Sequence, residues 1–562
     1  VTPEELTLDV TRLTASPPVT APEAAEAVRS CFGLAGQLAR LPGEADDNFL
    51  LRASGEKRYV VKVAHERADP RVVDVQVRVL RHIESVAADL PVPRVVPAVD
   101  GRPWAVVADG PLRGRVVHVV SYLDGHLLKS VPTDQTLRRA LGGTALDPEL
   151  RQIVERRASL LGPAYKLFYR NPVRVVRAQG VHLFDADGQA YLDAYNNVPS
   201  VGHCHPRVTE AIARQAATLN THTRYVSEPI LDYAERLLGT YPAELGHVMF
   251  TCTGSEAVDL ALRIARFHTG GEGTVITANA YHGVTTAAAE ISPSLGPAVP
   301  LGRAVWTVPP PVADDAQDFA ERVRTSIAEM KRHGVKLAAF IADSLFSSDG
   351  IRPDPAGFLA PVVDAVHEAG GLCIADEVQP GFGRTGEAMW GFQRHGIVPD
   401  LAVMGKPMGN GMPIAGVAAR PEILEEFGHK IRYFNTFGGN SVSIAAAAAV
   451  LDVIETEGLL QNALTVGRYL RDTLTGIANT TPRIGAVRGA GLYVAADFVD
   501  PGTGQPDGDA AIRVVNGLRE RRVLISATGP DGSTLKIRPP LPFARPHVDQ
   551  LAEALSATLR TL

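Results

Sequence analysis

From about residue 151 onward, short apolar runs alternate with longer stretches in which apolar positions recur every three or four residues. The runs are HVMFTC (247–252), TVITAN (274–279), LAAFIAD (337–343), GLCIADE (371–377) and LAVMG (401–405). Each is nearly all apolar, the pattern of strands covered on both faces. This alternation predicts an α/β unit with a mostly parallel sheet, whose ligands gather at the C-terminal strand ends. Before residue 131 the pattern differs. FLLRASGEKRYVVKV (49–63) alternates around a Ser-Gly-Glu-Lys turn and predicts a hairpin. PRVVDVQVRVLRHIESV (70–86) has helical spacing, and WAVVA (104–108) and RVVHVVSYL (115–123) read as two more strands.

These patterns divide the chain into an extension over 1–25, a small α+β domain over 26–130, a linker over 131–150 and an α/β unit over 151–562. The linker assignment rests on lost periodicity and a Gly-Gly pair. The chain has 562 residues, 45% of them hydrophobic and 21% charged, as in globular proteins. A net charge of −6 gives no footprint for nucleic acid or an anionic membrane. No apolar run reaches the roughly 18 residues a spanning helix needs. Cys31, Cys204, Cys252 and Cys373 are scattered and read as thiols of a reducing, cytoplasmic compartment.

Candidate chemistry sits at the strand ends. After HVMFTC, Thr253 and Glu256 fit a capping box, which leaves Gly254 and Ser255 at a helix N-terminus suited to phosphate. After TVITAN come Tyr281, His282 and Gly283, an aromatic that can stack on a flat ring or fill a core. After GLCIA come Asp376 and then Gln379; a carboxylate there needs a cationic partner, from the protein or a ligand. Lys406 ends the LAVMG strand and opens a loop of Gly, Pro, Met and Asn. A desolvated lysine becomes a nucleophile toward carbonyls. Together the four features ask for a ligand with a phosphate, a flat ring, a basic ring nitrogen and an aldehyde. Pyridoxal 5′-phosphate has all four.

Residues 151–562 resemble the class III aminotransferases, fold-type I pyridoxal-phosphate enzymes. The motifs are YLDAYNNVPSVGHCHP (191–206), TGSEAVDLAL (253–262), AYHG (280–283), ADEVQPGFGRTG (375–386), MGKPMGNGMPIAG (404–416), NTFGGN (435–440) and LKIRPPL (535–541). The resemblance implies a large cofactor domain over about 200–455 and a small domain from 151–199 and 456–562. It implies Lys406 as the Schiff-base lysine and proton shuttle, Asp376 as partner of the ring nitrogen and Gln379 as neighbour of the ring hydroxyl. Gly254 and Ser255 would hold the phosphate, with Tyr281 stacked on the ring and His282 beside it. Thr436 would reach the other subunit's phosphate, so a homodimer with interfacial sites is expected. Family members often carry an Arg where Lys536 stands, binding the substrate carboxylate; Lys536 and Arg538 are both candidates for that role.

NNVPSVGHCHPRV, LNTHTRY (219–225), MGKPMGNG and LKIRPPL resemble the amino-alcohol phosphate phospho-lyase branch. Asp343-Ser344 stands where transaminases usually show Glu-Pro. Elimination would need cations for a departing anion, and Arg224, His222 and Arg384 are candidates near the expected mouth. His203 and His205 are read as loop-shaping residues, with no metal expected. The leading expectation is deprotonation of an amino substrate at Cα and loss of a β or γ leaving group, with or without capture of the adduct by a second substrate in carbon–carbon bond formation. The alternative is an ω-aminotransferase. Residues 26–130 resemble the small lobe of an aminoglycoside-phosphotransferase-like kinase, with Lys62 as the strand lysine. No H-x-D-x-x-x-x-N motif follows, and the helix offers Gln76, with Glu84 two turns later, where kinases commonly have Glu. The lobe is therefore expected to be a cap, a spacer or a binder of a phosphate- or nucleotide-bearing substrate, not a phosphotransferase.

Overall fold

The computed structural model describes residues 19–41, 46–53, 57–65, 68, 70–86, 93–122, 146–311 and 316–562. Most of the linker expected over 131–150 lies outside them. Two compact units are present, Val1–Thr136 and Leu137–Leu562.

In the first unit, helix α1 (Ala21–Phe32) precedes strands β1 (Gly36–Leu41), β2 (Asp47–Ala53) and β3 (Arg58–Val63). Helix α2 (Pro70–Val86) spans the segment whose spacing predicts it, followed by β4 (Val95–Val96), β5 (Ala105–Val106) and β6 (Val116–Ser121). The sheet order is β1-β2-β3-β6-β4, with β5 also on β6. The hairpin β2/β3 places Phe49 opposite Val61 and Leu51 opposite Tyr59. Phe49, Leu51, Val61, Val117 and Val119 pack with Val28 and Phe32 of α1 into one core. Residues two apart on a strand share a face, so Phe49 and Leu51, Val61 and Val63, and Val117 and Val119 line one face of the sheet, while β6 is buried on its other face too.

The second unit is built on a seven-stranded sheet. Its strands are β10 (His247–Thr251), β11 (Gly273–Thr277), β12 (Val305–Val308), β13 (Leu337–Asp343), β14 (Leu372–Asp376), β15 (Leu401–Met404) and β16 (Ala415–Ala419). The order is β10-β16-β15-β14-β13-β11-β12. Pairing is parallel from β12 through β15, and β16 runs antiparallel to both its neighbours. Parallel neighbours put their C-terminal ends on one edge, so Asp343 and Asp376 are register partners there. Two further sheets complete the unit. β7 (Val175–Gln179), β8 (His182–Asp185) and β9 (Ala190–Asp193) pair with β19 (Val523–Leu524). β17 (Ile484–Ala490), β18 (Tyr493–Phe498), β20 (Ser526–Thr528) and β21 (Thr534–Ile537) form the other. The chain before β10 and the chain after residue 480 therefore close together, and Arg538 N–H donates to Ala194 O at 2.8 Å. Among the described residues no helix is long and apolar enough to cross a membrane.

Candidate active site

The strand β10 ends at Thr251, and helix α3 (Gly254–Thr269) starts three residues later. The capping box forms: Thr253 Oγ1 accepts from Glu256 N–H at 3.2 Å, and Glu256 Oε2 accepts from Thr253 N–H at 3.0 Å. This leaves Gly254 and Ser255 in the first turn, where N–H groups lack intrahelical partners. Both line a cavity of about 100 Å³ together with Tyr281, His282, Gly283, Asp376, Val378, Gln379 and Lys406. Four segments far apart in sequence thus meet at one sheet edge. A side chain at Gly254 would press on Val378 at 3.1 Å, and one at Gly283, whose φ is +138°, would meet Ser255 Oγ at 2.5 Å. The cradle is therefore open only because these positions lack a Cβ.

Asp376 and His282 are buried, and His282 Nδ1 lies 2.7 Å from Asp376 Oδ2. Val378 N–H donates to Asp376 Oδ1 at 3.1 Å. His282 Nε2 is buried without a partner. Lys406 has a backbone φ of +27° at the start of a short 3₁₀ turn, the kind of sparsely populated conformation found where a side chain is aimed for function. Its amine makes no hydrogen bond or ion pair among the described residues. Burial, then the nearby charge of Arg538, lowers its pKa to about 8, against the pull of Asp376 and Asp343. Burial, then the charge of Asp376, raises the Tyr281 hydroxyl.

Gln379 connects the cavity to β21. Its Oε1 accepts from Arg538 Nη1 and, at 3.4 Å, from the Tyr493 hydroxyl. Arg538 is held further by Tyr195 O, which accepts from its Nε at 3.2 Å. Lys536 lies on β21 and Arg538 one residue past its end, and both are buried. Sequence reasoning left Asp343 as a mere departure from Glu-Pro. The structure sets it against Asp376 and within electrostatic reach of Lys536, and burial raises its pKa. Ser344 donates to Glu377 Oε1 at 2.8 Å, and Glu377 also accepts from Gly391 and Phe392 N–H at 2.6 and 2.9 Å. Burial raises Glu377 to about 7. No proline could supply that Ser344 bond.

Other candidates lie elsewhere. Arg384 is not at a mouth: it is fully buried, and its Nη1 donates to Leu492 O at 3.2 Å and to Pro539 O. Arg224 is exposed, with its guanidinium 3.8 Å from the Phe434 ring centroid, and His222 stacks on Tyr225 at 5.1 Å. Arg224 and Tyr225 border a different recess, of about 500 Å³. Thr436 is exposed and does not line the Lys406 cavity. His203 and His205 are engaged by Asp193 and Glu457 at 2.7 and 3.0 Å. His367, Cys373 and Asp400 cluster within 4.8 Å, yet the Asp400 carboxylate already accepts from Arg420 Nε at 3.1 Å and Cys373 N–H at 2.8 Å.

A lysine amine without a partner, a carboxylate beside it, a phosphate-sized helix N-terminus and an aromatic flank fit a pyridoxal phosphate and define a fold-type I enzyme that uses it. The chain belongs to the class III aminotransferase family, whose model matches residues 166–559; residues 37–219 match the phosphotransferase enzyme family. The chain is 40% identical over 433 residues to an alanine–glyoxylate aminotransferase 2-like protein of Drosophila melanogaster, covering 73% of this chain and 88% of that protein. It is 37% identical to ethanolamine-phosphate phospho-lyase homolog 1 of Caenorhabditis elegans, over 73% and 93% of the two chains. Among solved structures, a phospholyase from Arthrobacter in complex with phosphoethanolamine is 43% identical, with a TM-score of 0.71 over 73% of this chain and all of that one. The protein is thus a pyridoxal-phosphate-dependent enzyme with a kinase-like N-terminal region.

Proposed function

We propose that this enzyme eliminates phosphate from a small amino-alcohol phosphate. The observation that carries the reading is the pair Lys536, on β21, and Arg538, one residue past its end, two buried basic side chains within electrostatic reach of Lys406. Buried cations are retained where an anion will meet them. Similarity to the phosphoethanolamine-bound Arthrobacter phospholyase and to the worm phospho-lyase homolog supports the same substrate class.

Pyridoxal phosphate, when bound, supplies an aldehyde for the substrate amine and a ring that takes up an electron pair. The protein's part follows from its residues. Gly254 and Ser255 offer N–H groups to the cofactor phosphate. Asp376, fixed by His282 and Val378 N–H, offers its carboxylate to the ring nitrogen. Lys406 Nζ accepts the proton from the carbon that bears the amine; its lowered pKa leaves a useful fraction unprotonated near neutrality. Arg538, tethered by Gln379 and Tyr195, holds the substrate phosphate in place. No observation supports capture by a second substrate, and the reading stops at elimination.

Transamination is the second reading, favoured by the fly relative's name. The two separate with phosphoethanolamine and no keto acid. Elimination releases many phosphates per site; a transaminase stalls after one turnover with no phosphate released.

The same reading makes the enzyme a homodimer. Tyr225, Val226, Leu231 and Phe434 border the recess of about 500 Å³ and are exposed, Val226 at 97%. Thr436, exposed nearby in sequence, is then free to reach the partner's cofactor phosphate. For the N-terminal lobe the reading is non-catalytic. Lys62 faces His118 across β3/β6, and among the described residues no carboxylate pairs with it. Gln76 and Glu84 are exposed on α2.

A further inference from the structure

Lys536 is 9% exposed. Among the described residues it donates no hydrogen bond and forms no ion pair. Its Nζ lies 5.9 Å from the Tyr493 ring centroid, and Arg538 Cζ lies 5.8 Å from the same centroid. One buried ring therefore spaces the two cations. Among the described residues, burial and then the charges of Arg538 and Lys406 oppose its proton, and Asp343 favours it. Asp343 is fixed in turn, accepting from Leu345 N–H at 2.8 Å and Ser347 N–H at 3.3 Å. Arg538 has its hydrogen bonds to protein; the Lys536 amine has no acceptor among the described residues, and an anion brought beside it would, like Asp343, favour its charged form.

Loss of phosphate from a monoester makes a particular demand. The C–O bond breaks and its electron pair goes to oxygen. Without a proton at that oxygen, a monoester dianion would have to leave as a trianion. Lys406 is occupied with the carbon proton at this moment. Resting on the elimination reading above, we infer that Lys536 is the general acid that protonates the bridging oxygen of the departing phosphate. The proton from the substrate carbon goes to Lys406 Nζ, and the C–H electron pair becomes the new carbon–carbon π bond. The C–O pair goes to the bridging oxygen, which takes a proton from Lys536 Nζ, and hydrogen phosphate leaves. Lys406 returns one proton to solvent and Lys536 takes one up, so the cycle balances. Arg538 cannot take this role, because a guanidinium does not give up its proton in a protein.

The test uses full-length holoenzyme and two esters of ethanolamine, the phosphate and the O-sulfate. Sulfate leaves as a stable dianion and needs no proton. Lys536→Arg keeps the positive charge and withholds the proton. With this variant, kcat for phosphate release falls about 100-fold, the order general-acid catalysis contributes, with KM changed less than about threefold. Sulfate release stays within about threefold of the parent. Unchanged visible absorbance of bound cofactor shows that the site is assembled, and Lys536→Gln serves as a second variant with the same expected loss on phosphate. An equal fall on both esters, or no fall on phosphate, overturns the assignment of Lys536 while leaving elimination intact. A parent enzyme that consumes phosphoethanolamine as an amino donor and releases no phosphate overturns elimination itself.

Discussion

Lys406 is held with its amine buried and in no ion pair among the described residues, at a cost that pH exposes. The folded chain binds a proton there more weakly than the unfolded chain, with a pKa lowered from 10.5 to about 8. From this group, stability rises with pH between those two values, and the penalty is present in full below about 8. The cofactor-free Lys406→Met variant should therefore exceed the cofactor-free parent in stability at pH 7 by roughly 1–3 kcal/mol, measured by denaturant unfolding. The margin should vanish as the pH reaches 10.5. Turnover by the same variant with added cofactor should fall by about 10³-fold or more, since both base and covalent attachment are lost. A stability gain together with a loss of function marks a residue placed for chemistry and not for the fold.

At the scale of elements, the site depends on how α3 begins. The Thr253–Glu256 capping box satisfies backbone N–H groups that would otherwise compete for the phosphate seat, and it fixes Gly254 against Val378. Thr253→Ala should cost about 1 kcal/mol of stability and weaken pyridoxal phosphate retention, read from the dialysis rate of bound cofactor against the parent. That helix start was legible in the sequence because capping chemistry is local. Strands such as β13, β14 and β15 were legible because an all-apolar run has few other uses in a parallel sheet. β12 and β16 were not: VWTV is only four residues long although Gly302 and Pro309 bound it, and AGVAA carries a single branched residue, Val417, among small ones. The cation pair at β21 was visible only as a choice between Lys536 and Arg538. Arg538 follows the end of β21 and is oriented by Gln379 and Tyr195, and the approach of Asp343 depends on sheet register, which the sequence of one strand does not carry. Arg384 misled because burial of an arginine on backbone carbonyls leaves no trace in spacing.

The whole molecule poses two questions of assembly. All the residues lining the Lys406 cavity belong to the unit Leu137–Leu562, so a chain starting at residue 137 should still bind pyridoxal phosphate with the parent's visible absorbance. The second concerns copies of the chain. An exposed valine at position 226, with Tyr225, Leu231 and Phe434 around one recess, is apolar surface that water disfavours. In the homodimer proposed above, a second copy would bury that surface. A charge at the centre of such a face is desolvated without a partner on assembly, so the parent should sediment as a dimer and Val226→Asp as a monomer. If the site is completed across the interface, the monomer should also lose cofactor affinity, although residue 226 lies outside the Lys406 cavity. Thr436→Val in an intact dimer should weaken cofactor retention without changing the sedimentation coefficient. A monomeric Val226→Asp enzyme that keeps full cofactor affinity and turnover would show that each chain is complete alone.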